Sequence, residues 1–86
     1  MTAKEMFEKL GYEQTIKRKN KICYVKHYEV DGFGFDNNGI TFEDNTVECC
    51  LFNDDSEYYT ESGTIDMKEL KAINKQCEEL GWINVR

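Results

Sequence analysis

The sequence predicts a single α+β domain over residues 1–86. It reads as a two-layer sandwich with N- and C-terminal helices packed on one face of a four- to five-stranded antiparallel sheet, in the order α-β-β-β-β-α. Three observations lead there. Apolar residues recur at helical spacing only at the two ends of the chain. The stretch between them is rich in β-branched and aromatic residues broken by short polar turns. Those turns are too short for the crossover that parallel strands need, so neighbouring strands run antiparallel. Eighty-six residues fit one domain. With 40% hydrophobic and 13% aromatic residues a core can form, and the 33% charged residues are interleaved with apolar ones, so the chain reads as folded.

Thr2 and Glu5 stand three apart, the spacing of a capping box that opens the first helix. Ala3, Met6, Phe7 and Leu10 follow on one helical face. Gly11 ends the helix because it adopts the left-handed conformation without a Cβ clash, and Tyr12 is placed to fold back on Phe7. Tyr12 to Lys17 and Ile22 to Val30 read as strands joined by Arg18-Lys19-Asn20. Asn37-Asn38-Gly39 reads as a turn. Ile40 to Glu43 and Thr46 to Phe52 form a hairpin about Asp44-Asn45, residue types that tolerate positive φ. There Ile40 and Phe42 share a face with Val47, Cys49 and Leu51, while Glu48, Cys50 and Phe52 look the other way. Asn53 to Glu57 reads as a loop and Tyr58-Tyr59-Thr60 as a short edge strand. Asp66 and Glu69 cap the last helix, whose stripe is Met67, Leu70, Ile73, Cys77 and Leu80 with Ala72 at its margin. Gly81 stops it and Trp82 folds back on Cys77. The likeness of FEKLGY to CEELGW is shared capping chemistry, too short for an internal duplication.

The chemistry-bearing residues are sparse. His27, the one histidine, sits in a strand with no serine nearby and no metal-ligand spacing, so it reads as structural. Cys49 and Cys50 are strand neighbours that point to opposite faces, the wrong arrangement for a metal pair. Cys23, Cys49, Cys50 and Cys77 read as reduced thiols used as small hydrophobes. Asn53-Asp54-Asp55-Ser56-Glu57 lacks the sixth-position glycine and the spaced glutamate of an EF-hand and reads as a solvated acidic loop. Gly32, Gly34 and Gly39 precede no helix, so they make no phosphate loop. No cofactor and no metal are expected. The start MTAKEMFEKL carries no apolar run of a secretory signal, and no stretch is long enough to span a bilayer, so a cytoplasmic location is expected.

Charge placement carries the functional content. Lys17, Arg18, Lys19, Lys21 and Lys26 fill the first hairpin, and no lysine or arginine follows until Lys68. Between lie Glu29, Asp31, Asp36, Glu43, Asp44, Glu48, Asp54, Asp55, Glu57, Glu61 and Asp66, in a chain of net charge −6. A surface built from them repels nucleic acid and attracts basic proteins. Phe52, Tyr24 and Tyr28 are expected to form an aromatic patch on the face away from the helices.

The two ends, TAKEMFEKLGYEQ at 2–14 and LKAINKQCEELGW at 70–82, resemble a loose group of small uncharacterised accessory proteins of phages and prophages of Gram-positive bacteria (Firmicutes). The resemblance implies an accessory gene product acting in the bacterial host cytoplasm, and it brings no catalytic residues with it. The expected function is therefore non-enzymatic: binding of a protein with a basic surface. One concrete form is an acidic inhibitor that occupies the groove of a host nucleic-acid-binding or defence protein. Asp44, Glu48, Phe52, Asp54, Asp55 and Glu57 are the candidate partner-binding residues. No direct nucleic-acid contact and no membrane are expected, and the chain is a monomer or a homodimer. The alternative is a self-associating module with no host target, whose free sheet face or edge pairs with a second copy.

Overall fold

The computed structural model describes residues 1–29, 34–54 and 60–83, with residue 60 described through its backbone alone. Its elements are α1 (Ala3–Lys9), β1 (Glu13–Arg18), β2 (Lys21–His27), β3 (Asn37–Glu43), β4 (Thr46–Phe52), β5 (Thr60–Ser62) and α2 (Met67–Glu79). The strands form one antiparallel meander in the order β1-β2-β3-β4-β5. This is the expected α+β architecture with five strands.

The helix ends follow their sequence signals. Both capping boxes are formed, Thr2 with Glu5 and Asp66 with Glu69. Gly11 and Gly81 take φ of 94° and 76°, which lets Tyr12 N–H reach the Phe7 carbonyl at 3.0 Å and Trp82 N–H reach that of Cys77 at 2.9 Å. The helices run antiparallel and are pinned at both ends by carboxylates of α2. The Glu79 carboxylate accepts from Ala3 N–H at 2.8 Å. Glu69, while capping its own helix, also accepts from the Tyr12 hydroxyl just past the end of α1.

One sheet face carries the core. Register places Ile22, Tyr24, Ile40 and Phe42 on the same side, where they pack with Phe7 and Tyr12 from the front of the chain and Ala72, Ile73 and Cys77 from α2. The Phe7 ring stacks on Tyr24 at 4.1 Å, and Phe42 meets both edge-on at 6.1 and 6.2 Å. Each buried tyrosine hydroxyl is used. Tyr24 donates to Gln76 Oε1 at 2.5 Å and accepts from Gln14 Nε2 at 3.1 Å. Tyr12 accepts from Asn38 Nδ2 at 2.8 Å while donating to Glu69. Burial raises both phenols above the ordinary tyrosine value and so holds them protonated, which suits donors in these relays.

Four expectations need correction. Tyr24 belongs to the core rather than to an outward aromatic patch, because its partner across the ladder is Ile40, also wholly buried. Asn37-Asn38-Gly39 is strand, not turn: the Asn37 amide is held by Asp54 and the Asn38 amide by the buried Tyr12 hydroxyl, and Gly39 pairs with Val25 and Cys50 where a Cβ would meet the Phe52 ring at 3.2 Å. The apolar stripe of α2 is rotated from its expected line. Met67 is 67% exposed and Leu70 only half-buried, whereas Ala72 and Gln76 lie inside. Gln76 is there because the Tyr24 hydroxyl needs an acceptor. β2 ends at His27, short of Val30, which lies outside the described residues. Tyr58 and Tyr59 of the expected edge strand also lie outside them, and β5 begins at Thr60.

The β3–β4 connection follows the sequence reading. Asp44 and Asn45 take φ of 50° and 62°, as a two-residue turn that keeps strand twist requires. Ile40 opposes Cys49 and Phe42 opposes Val47, so the two faces of the hairpin are the ones expected.

Truncating Phe7 to Ala should destabilise the domain by about 3–5 kcal/mol in urea unfolding, whereas Met67→Ser should change it by less than about 0.5 kcal/mol. Tyr12→Phe should cost about 1–3 kcal/mol, because it strips the amide of Asn38, whose carbonyl oxygen already has no partner among the described residues.

Candidate functional site

The helices cover one face of the meander and leave the other without a covering element among the described residues. The register lays that open face out in rows. Arg18, Lys21, Glu43 and Thr46 form the first, at the end of the tight turns. Ile16, Cys23, Thr41 and Glu48 form the second. Glu13, Val25, Gly39, Cys50 and Ser62 form the third, and His27, Asn37 and Phe52 the fourth. Ile16 reaches this side through an irregularity in β1. Gln14 opposes Tyr24 and Ile16 opposes Cys23, so Thr15 is the extra residue of a bulge that resets the alternation.

The centre of the face is apolar. Ile16, Cys23, Val25, Cys50 and Phe52 are each half-buried, and the Phe52 ring lies over Gly39. Cations stand at the β1–β2 corner (Arg18, Lys21), and carboxylates stand on β3 and β4 (Glu43, Glu48) with Asp44 in the turn beside them. The Cys50 thiol here is not activated. Burial, and then the Glu48 carboxylate, push the Cys50 thiol above its ordinary value, and burial does the same to Cys49 and Cys77.

A polar knot closes the far end of the face. The Asn37 amide, nearly fully buried, donates to Asp36 Oδ1 at 3.1 Å and to Asp54 Oδ1 at 2.7 Å. That orientation turns its Oδ1 toward His27 Nδ1, 2.9 Å away, so Nδ1 carries the proton. Asp54 Oδ2 lies 3.7 Å from the same nitrogen. Asp36 also ties the backbone: its carbonyl accepts from Tyr28 N–H at 2.6 Å, its N–H donates to Asn53 Oδ1 at 3.0 Å, and its carboxylate accepts from Asp54 N–H at 3.2 Å. His27, Asp36 and Asp54 bring one nitrogen and two carboxylate oxygens within 4.8 Å of one another. Asp36 Oδ1, Asp54 Oδ1 and the ring nitrogen already hold hydrogens of Asn37, of the Asp54 backbone and of the ring itself, so the three residues are joined in a hydrogen-bond knot.

Of the six residues expected to contact a partner, Glu48 and Phe52 lie on the open face, four residues apart along β4. Asp44 sits in the turn at one end of that strand and Asp54 beyond the other, with the seven residues of β4, about 20 Å at the usual strand rise, between them. Asp55 and Glu57 lie outside the described residues. The acidic segment as a whole is less free than its composition suggested. Asp66 caps α2, Asp36 and Asp54 are held in the knot, and Asp44 fills a positive-φ turn position. The basic hairpin is also partly committed, since Lys26 lies on the helix-covered side with its Nζ over the rings of Tyr12 and Tyr28, at 5.9 and 5.3 Å. Sequence reasoning missed Ile16, Cys23 and Val25 as face residues. The alternation of Cys23 and Val25 with Ile22 and Tyr24 was a usable signal for two of them, but the bulge that turns Ile16 outward leaves none.

Among the described residues a cleft of about 370 Å³ opens beside β1 on the helix side, with Lys4, Lys17, Gln14, Tyr24, Gln76 and Glu79 in its walls. Its polar floor is the Gln14–Tyr24–Gln76 relay and its carboxylate is bound to Ala3 N–H, so those groups are already satisfied. No described helix is long and apolar enough to cross a membrane.

Comparison with family models, curated proteins and solved structures found no match to this chain.

Cys50 should alkylate with iodoacetamide at pH 8 more slowly in the folded chain than in the urea-unfolded chain, since its raised pKa lowers the thiolate fraction. Peptide mass spectrometry of quenched time points reads the two rates.

Proposed function

We propose that this chain is a non-enzymatic protein that acts by binding another protein through the open face of its sheet. The observation that carries the reading is a face of a five-stranded sheet that no described element covers, with an apolar centre of half-buried Ile16, Cys23, Val25, Cys50 and Phe52 ringed by charge. A desolvatable centre with a polar rim is the anatomy of a protein-binding surface. The non-enzymatic part is supported by the state of the reactive groups. The Cys49, Cys50 and Cys77 thiols and the Tyr12 and Tyr24 phenols are held protonated by burial, and the His27 ring nitrogen that faces the carboxylates is spent on Asn37.

The net charge of −6 and the carboxylates on β3 and β4 favour a partner with a basic surface, attracted over a distance and fixed by contact with the apolar centre. A host protein that binds nucleic acid or serves in defence has such a surface. The resemblance of residues 2–14 and 70–82 to phage and prophage accessory proteins fits an inhibitor of that kind in a bacterial cytoplasm. A second reading is favoured by one observation. Arg18 and Lys21 at one side of the face and Glu43 and Glu48 at the other make it complementary to itself, so a second copy fits the same surface.

The test is affinity capture from a Gram-positive host lysate at low salt with wild type and two variants, Phe52→Ser and Glu48→Lys. A partner recovered by wild type should be lost with Phe52→Ser and weakened with Glu48→Lys, while both variants keep the wild-type unfolding free energy to within about 1 kcal/mol. Undiminished recovery by both folded variants would remove this face from the interaction. Sedimentation of the purified chain decides the second reading: a dimer that Phe52→Ser dissociates supports it, and a monomer at all concentrations rejects it.

A further inference from the structure

The knot at the end of the face has a property that the binding reading does not use. It joins three strand ends, with His27 closing β2, Asp36 and Asn37 opening β3, and Asp54 following β4. Two of its members are carboxylates and one is a titratable base. The described charged groups that face His27 are Asp54, Asp36 and Glu29, all acidic, whereas Lys26, the next residue on β2, projects to the opposite side of the sheet over Tyr12. The balance of charge at this end of the molecule therefore depends on the proton at His27.

The geometry points to a proton-operated latch: protonation of His27 binds the ends of β2, β3 and β4 into one unit, and its deprotonation loosens Asp54 and Tyr28 from Asp36. When the ring is charged, it donates to Asn37 Oδ1 at 2.9 Å and attracts the Asp54 carboxylate at 3.7 Å. The neutral ring keeps at most the bond to Asn37. The Asp36 and Asp54 carboxylates, both held by one Asn37 amide, then repel each other with no cation between them. The tie from Asp54 N–H to Asp36, at 3.2 Å, and the tie from Tyr28 N–H to Asp36 weaken together.

The hydrogen bond to Asn37, and then Asp54, Asp36 and Glu29, raise the His27 pKa above its ordinary value. The latched form thus binds the proton more tightly than the open form. Its stabilisation is complete below the unperturbed histidine value of about 6.5 and is lost as pH rises through the raised value. The latch stands whatever the open face binds, since it concerns the chain alone.

Amide hydrogen exchange by NMR on the full chain, from about pH 5.5 to 8.5 and corrected for intrinsic rates, tests it. Protection of the Tyr28 and Asp54 amides should fall as His27 deprotonates, by the ratio of the proton-binding constants of the latched and open forms. The Ile40 and Phe42 amides in the core should stay level. His27→Gln should give weak, pH-independent protection at Tyr28 and Asp54, and His27→Lys strong, pH-independent protection. Asp54→Asn should lower the titration midpoint of His27. Level protection of Tyr28 and Asp54 in wild type while His27 titrates would overturn the latch. So would a fall shared equally by the core amides, or an unmoved His27 midpoint in Asp54→Asn.

Discussion

The stack of Phe7 on Tyr24 joins the three parts of this molecule. Phe7 comes from α1 and Tyr24 from β2, and the Tyr24 hydroxyl is bound to Gln76 of α2. One aromatic pair therefore fixes both helices to the sheet, and on the same side. The remaining core arranges itself around that pair, with Phe42 edge-on to both rings and Ile40 beside Tyr24 across the ladder. The side-chain period of a strand is two, so assigning Tyr24 inward also assigns Cys23 and Val25 outward. A helix cannot cover both sides, and the open face follows from the inward choice.

That choice explains where polar groups are found. On the covered side every hydroxyl that enters the core is answered by a side chain of α2: Tyr24 by Gln76 and Tyr12 by Glu69. On the open side the apolar residues Ile16, Cys23, Val25 and Cys50 lie in the middle rows, and polar groups flank them at the sheet edges and at the ends of the strands. The far end is closed by Asn37, which lies nearly fully buried at the start of β3 because its amide holds two carboxylates and its carbonyl meets His27. Such a knot suits a sheet whose long connections leave from one end, since it supplies the cross-links that tight turns supply at the other.

Much of the fold was legible in the sequence, because local chemistry decides it. The capping boxes, the glycine stops and the Asp44-Asn45 turn each depend on residues within four positions, and all formed as read. Features set by partners far along the chain were not legible. Asn37 and Asn38 look like turn residues until Asp54 and Tyr12 are brought beside them. Gln76 looks like a surface residue until the Tyr24 hydroxyl requires it, and this also turns Met67 and Leu70 away from the core. The candidate face was half visible. The outward set of β4 followed from alternation, but Tyr24 was placed on the wrong side, and the bulge at Thr15 that presents Ile16 has no local signature. The acidic segment was conspicuous in composition, and the structure assigns several of its members to caps, turns and the knot.

The claim on which the account rests is that the sheet has one dry side and one wet side, with Tyr24 on the dry one. The most direct measurement is methyl relaxation by a soluble paramagnetic gadolinium chelate on the dilute chain. Strong enhancement is expected for Val25 and Ile16 and weak enhancement for Ile22 and Ile40. Equal enhancement of the two sets, or the reverse order, would contradict it.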